Sequence, residues 1–217
     1  MNVWKIQRRL IRAGHTLLNM WELKIEKHIG EKFPFHIYVR PLMKYIAKNY
    51  SKASDLVGVE IGVDRGDNAM YILSTLDIKK LFLVDPYLEY DGFKDNIGWD
   101  KKTQNDFEKY FKIANLKLQP YKDRIEFIRK KSDAAADRIP DELDFVYIDG
   151  NHDYQYVKID SETYYPKLKH GGILGGDNYE TLFPGVMRAV RELADKHNLE
   201  IHGARWAESY EWWVVKP

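Results

Sequence analysis

The sequence predicts an α/β protein, a three-layer sandwich with helices on both faces of a mostly parallel sheet. Three observations carry this expectation. Apolar runs of strand length alternate with helix-length amphipathic stretches from about Leu56 onward, which is the pattern of a parallel sheet with crossover helices. Two of those runs, LDFVYIDG and HGGILGGDNY, end in acid, with Asp177 28 positions after Asp149. That distance is enough for one helix and two turns between parallel neighbours. The chain then closes with LEIHGARWA and YEWWVVKP, whose short connection requires an antiparallel pair.

The chain has 217 residues and fits one domain with a helical extension. Its hydrophobic content of 44% and aromatic content of 14% argue against disorder. Cysteine is absent, which excludes a disulfide framework and thiolate zinc ligation, so a metal would sit on oxygen or imidazole. The plain expectation is a cytoplasmic protein. No apolar run reaches the about 18 residues of a membrane span, and Arg8, Arg9, Arg12 and His15 break the N-terminal stretch that a signal peptide would need.

The net charge of +1 conceals an asymmetry. Residues 1–50 carry ten Lys/Arg against three Glu, a net +7, and residues 51–217 carry 24 against 30, a net −6. The expected division is therefore a basic helical extension over 1–50 and an acidic domain over 51–217. From Trp4 to Ile29 apolar residues recur with helical spacing. Their face requires a partner: the following domain, a second copy of the chain in a homo-oligomer, or a membrane surface. Phe33-Pro34-Phe35 interrupts this helix and Pro41 opens another through Leu42, Tyr45 and Ile46.

In the domain, LVGVEI reads as a buried strand, followed by a turn from Gly62 to Gly66 and a helix from about Asp67. The second strand, LFLVD, ends in Asp85, nineteen residues past Gly66. That spacing suits an acid that accepts hydrogen bonds from ribose hydroxyls. The turn lacks the G-x-G-x-x-G dinucleotide fingerprint, and Asp64 places an anion where a pyrophosphate would lie. A cationic sulfonium cofactor, S-adenosylmethionine, suits it better. Residues 87–102 are polar, aromatic and irregular, as expected of a lid or substrate loop. A helix over 107–116, the strand RIEFIRK and a short helix over 132–138 follow. Ser132 and Asp133 start that helix as caps, at a strand end where they can meet an adenine. Helices over 154–168 and from 186 to about 197 complete the set.

With these residues in place, the chain resembles class I S-adenosylmethionine-dependent methyltransferases over about Leu56 to Pro217. More narrowly it is similar to the metal-dependent macrocin and sugar O-methyltransferases and the cephalosporin-hydroxylase-like group. VEIGVDRG carries the first motif, and YIDGNHDY with LKHGGILGGDNY the more specific part. The resemblance implies a Rossmann-like fold with a seven-stranded sheet, and a cofactor over Glu60, Gly62, Gly66 and Asp85, with Ser132 and Asp133 beside it. It also implies Mg2+ or another divalent cation on Asp149, Asp177 and Asn178, whose oxygens suit a site of about 2.1 Å bonds. Catechol O-methyltransferase, which is similar, carries a basic lysine where this chain has His152. An imidazole, with an ordinary pKa of about 6.5, is a candidate base there and Asp149 its catalytic neighbour. Tyr87, Trp99, Tyr179 and Phe183 are candidate acceptor contacts. The implied reaction is methyl transfer to a hydroxyl of a small molecule, a sugar or glycosylated metabolite. The alternatives are an RNA methyltransferase using the basic N-terminal region and a non-catalytic cofactor-binding or assembly module.

Overall fold

A computed structural model describes residues 40–49, 55–89, 102–206 and 209–217. The amphipathic stretch from Trp4 to Ile29, its Phe33-Pro34-Phe35 break, Trp99 and most of the expected 87–102 lid lie outside the described residues. In chain order the elements are α1 (Pro41–Asn49), β1 (Leu56–Ile61), α2 (Asp67–Thr75), β2 (Ile78–Val84), α3 (Gln104–Lys117), β3 (Ile125–Ile128) and α4 (Ser132–Ala135). They continue as β4 (Leu143–Ile148), α5 (Tyr154–Tyr164), β5 (Leu168–Gly176), α6 (Pro184–His197), β6 (His202–Trp206) and β7 (Ser209–Val215). The seven strands form one sheet in the order β3-β2-β1-β4-β5-β7-β6. All pairings are parallel except β5 with β7 and β7 with β6, as the closing hairpin requires.

Alternation along the strands assigns each side chain to a face. Val59, Ile61, Val84, Val146, Ile148, Leu174, Trp212 and Val214 pack with α5 and α6 on one side. Leu81, Leu83, Phe145, Tyr147, Ile173 and Trp213 pack with α1, α2 and α3 on the other. Helix α6 shows the expected stripe, with Val186, Ala189, Val190, Leu193 and Ala194 buried. Helix α5 ends at Tyr164 rather than at 168. Pro166 cannot continue it, and β5 begins at Leu168.

The boundary expected at residue 50 moves. Residues 39–217 form one compact unit, because Leu42, Met43 and Ile46 of α1 are buried in the second core. Gly175 makes room for that helix: a Cβ there would lie 2.6 Å from a Leu42 methyl. Helix α1 is thus part of the same compact unit as the sheet, which matters for the residue immediately before it.

Candidate active site

The carboxyl ends of five strands are in register. Ile128, Val84, Ile61, Ile148 and Gly176 lie side by side across β3, β2, β1, β4 and β5. The residue after each of β2, β1, β4 and β5 donates its N–H to the terminal carbonyl of its neighbour. Asp85 bonds to Ile128 at 3.3 Å, Gly62 to Val84 at 2.9 Å, Asp149 to Ile61 at 2.7 Å and Asp177 to Ile148 at 3.2 Å. The expected site residues Gly62, Asp85, Asp149 and Asp177 therefore emerge in one row, at the edge where such sheets bind ligands. The reversal of strand order between the parallel neighbours β1 and β4 falls in the middle of that row.

Gly62 has φ 85°, and a Cβ there would lie 2.1 Å from the Asp149 carbonyl oxygen. The glycine is thus required by the close approach of two strand ends as well as by its left-handed backbone. Gly66, with φ 74°, precedes α2. Asp85 holds the turn between them. One of its oxygens accepts from Val63 N and Asp64 N, both at 3.0 Å, and the other from Tyr87 N at 2.8 Å. Burial raises the Asp85 pKa, and those backbone donors oppose the rise. A carboxylate has about four acceptor positions, so Asp85 keeps room for a hydroxyl donor. Tyr87, expected at the acceptor edge, is instead a core residue, 1% exposed, with its hydroxyl donating to Asp64 O at 2.9 Å.

Glu60 is fully buried on the α1 face. Asn68 Nδ2 donates to its Oε1 at 2.9 Å, and its Oε2 has no partner among the described residues. Burial pushes the Glu60 carboxyl up to about 8, against the Asn68 hydrogen bond and with a further push from Asp149.

Ser132 and Asp133 do not cap α4 as expected. Lys131 is the N-cap, without a side-chain bond, and Asp133 Oδ1 accepts from Ala134 N at 2.7 Å. Ser132 turns inward and donates its hydroxyl to Asp160 of α5, while Tyr164 donates to Ser132 O at 2.8 Å. Burial pushes Asp160 up to about 7, against the Ser132 bond. Asp160 was not foreseen, although an acid on the apolar side of a helix asks for a partner.

His152 stands beside Asp149, with Nε2 at 3.6 Å from Asp149 Oδ1. Its ring lies 4.9 Å from that of Phe183. Gly185 at the start of α6 lets the 152–154 backbone pass, since a Cβ there would be 2.6 Å from Tyr154 N. Tyr179 packs against the first core and accepts from Arg191 Nε at 3.2 Å.

The ground expected to hold a divalent cation contains Arg40. Its Nη2 is 3.4 Å from Asp177 Oδ2 and its Nη1 is 3.9 Å from Asp149 Oδ2. The same Nη1 donates to the Tyr147 hydroxyl and lies 3.2 Å from Glu211 Oε1. Burial works to lower the Arg40 pKa, but Tyr147, Asp177, Asp149 and Glu211 carry it above its ordinary value. Glu211 has no exposed surface. It accepts from Leu42 N at 2.9 Å and from the Tyr147 hydroxyl at 2.7 Å. Asp177 Oδ1 accepts from Ser209 and, at 2.8 Å, from Asn178 N. Asn178, with φ 65°, thus enters the site through its backbone.

These residues do not fit a divalent cation in this arrangement. Two unit charges about 4 Å apart interact by roughly 4 kcal/mol at an effective dielectric of about 20, and a dication beside a guanidinium would be repelled by about twice that. Among the described residues no group of three acids or imidazoles is spaced to hold a metal. The set Asp149, Asp177 and Asn178, expected as ligands, frames a guanidinium instead. Arg40 and Glu211 were not foreseen. The one signal was Glu211 itself, a charge inside the apolar strand SYEWWVV, which demands a buried partner.

The methyltransferase-domain family matches residues 59–179, the span from β1 through the acid after β5. The chain is a member of the methyltransferase-domain family. An uncharacterized protein of Acanthamoeba polyphaga mimivirus is 29% identical over 171 residues, covering 77% of this chain and 71% of its own. Two solved methyltransferases share the fold of this family member. The O-methyltransferase from Bacillus cereus, in complex with SAH, is 14% identical, with a TM-score of 0.58 over 89% of this chain and 96% of that one. An rRNA methylase from Streptococcus thermophilus is 12% identical, with a TM-score of 0.57 over 82% and 96%. At these identities the likeness is one of fold. No described helix of the methyltransferase is long and apolar enough to cross a membrane.

Proposed function

We propose that this methyltransferase transfers a methyl group from S-adenosylmethionine to a hydroxyl of a small molecule, with a sugar or glycosylated metabolite as the acceptor class. The observation that supports it most is Glu60, a buried carboxylate with one oxygen lacking a partner among the described residues, two positions before the Gly62 turn. A buried carboxyl oxygen without a partner is costly, and the ammonium of the cofactor's methionine would satisfy it and draw Glu60 into its ionised form. Asp85 would accept from the ribose beside the Gly62–Gly66 turn, and Ser132 and Asp133 would flank the adenine. The row of acids suits a sulfonium cation.

S-adenosylmethionine supplies an electrophilic methyl group: the carbon–sulfur bond breaks with its electron pair kept by sulfur as the oxygen–carbon bond forms. The chain must hold the acceptor and receive its proton. His152 takes that proton, because imidazole is basic enough at neutral pH, and Asp149 steadies the ring from 3.6 Å. Proximity of the two reactants supplies about 7 to 11 kcal/mol of the barrier reduction.

Calorimetry with S-adenosylmethionine, followed by transfer of a labelled methyl group to sugar, catechol and polyketide hydroxyls, tests this reading. One cofactor bound per chain is expected, with turnover falling roughly a hundredfold or more in His152→Ala. A wild-type protein that binds no cofactor would end it.

A further inference from the structure

We propose that Arg40 is the resident cation of the acceptor end, taking the place of a divalent metal between Asp149 and Asp177, so that the protein works without one. The acids that converge there need a counter-charge, since Asp149, Asp177 and Glu211 all lie within 3.9 Å of the same guanidinium. The chain supplies it from α1, which is fixed in two ways. Leu42 and Met43 are buried in the core, and Glu211 accepts from Leu42 N at 2.9 Å, securing the helix start and the arginine with one carboxylate. Tyr147 completes the clamp, donating to Glu211 and accepting from Arg40.

A guanidinium differs from a metal in what it can do. Its charge is permanent and its planar donors meet carboxylates edge-on, so it can hold Asp149 and Asp177 in position. It has no open coordination place to bind an acceptor oxygen and acidify it directly. Removal of the acceptor's proton is therefore left to His152, with Asp149 fixed between the imidazole and the guanidinium. That last step rests on the methyl-transfer reading; the identity of the cation does not.

The test is a Mn2+ titration of the full chain, with free Mn2+ read from its electron paramagnetic resonance signal. The wild type is expected to show no stoichiometric site. Arg40→Met should acquire one, with affinity at least about a hundredfold above any residual wild-type binding, as removal of a unit positive charge a few ångströms away implies. Adding Asp177→Asn to Arg40→Met should abolish it again. A wild-type site that Asp177→Asn removes would overturn the proposal. So would a folded Arg40→Met protein, checked by circular dichroism, that gains none. If that variant does not fold, Arg40→Gln, which keeps a planar polar group, carries the same comparison. S-adenosylmethionine binding by calorimetry on the same wild-type sample reports separately: its absence would end the transferase reading and leave the cation assignment intact.

Discussion

Glu60 and Gly62 show how a single position in the first strand and turn serves two demands. Gly62 was legible as a tight-turn glycine, but its firmest constraint, the Asp149 carbonyl 2.1 Å from any Cβ, comes from a strand more than eighty positions on and leaves no local mark. Gly62→Ala is expected to cost at least about 2 kcal/mol, through forced strand separation and left-handed strain, measured by urea unfolding. Glu60 makes a pH-dependent prediction. Its folded pKa of about 8 lies above the ordinary 4.5, so the folded state binds the extra proton between those values. Stability contributed by the protonated form is complete below about 4.5 and is lost as pH rises through about 8. Glu60→Gln mimics the protonated form. The variant should match the wild type near pH 5 and melt above it at pH 9, by on the order of a few kcal/mol, and a constant difference across that range would refute the assignment.

At the scale of elements, the strands and their acid-tipped ends were readable because apolar periodicity and length are local properties. The ladder also explains why spacing sufficed: each strand leaves the row one residue after the same register line. What periodicity could not show was where α1 belongs. Charge alone assigns it to a basic arm, with Arg40 as one of that arm's charges, yet Arg40 meets Tyr147 across 107 positions and Glu211 across 171. A basic residue before Pro41 looks the same in sequence whether it is solvated or clamped. The packing makes its own prediction. Leu42→Ala, at a site 1% exposed and seated on Gly175, should cost about 2 to 5 kcal/mol. Lys48→Ala on the exposed side of the same helix should stay within about 0.5 kcal/mol. Equal effects in thermal denaturation would mean that α1 is an appendage after all.

Across the whole molecule, the sheet divides its work by strand end and by face. Helices α1 to α3 cover the face on which Glu60, Tyr147 and Glu211 are buried, and the carboxyl edge beyond them carries Gly62, Asp85, Asp149 and Asp177. The β6–β7 hairpin contributes to this arrangement from the opposite side of β5, through Glu211 and Ser209. A cofactor seated over β1 and β2 should therefore leave a directional trace. At a hundredfold excess over its dissociation constant, S-adenosylmethionine should stabilise the fold by about 2.7 kcal/mol. Hydrogen exchange should slow in peptides covering 60–67, 85–89 and 129–134, at and beyond the carboxyl ends of β1, β2 and β3. Exchange in 202–206, at the far margin of the sheet, should not change beyond the global stabilisation. Protection confined to β6 and β7 would place the ligand at the wrong end of the sheet, and uniform protection with no local excess would mean that the edge row does not form the binding surface. The same experiment on Asp85→Asn separates the two tasks of that residue. Loss of protection in 62–66 without ligand would mark its role in holding the turn, and loss of only the ligand-induced part would mark its role toward the ribose.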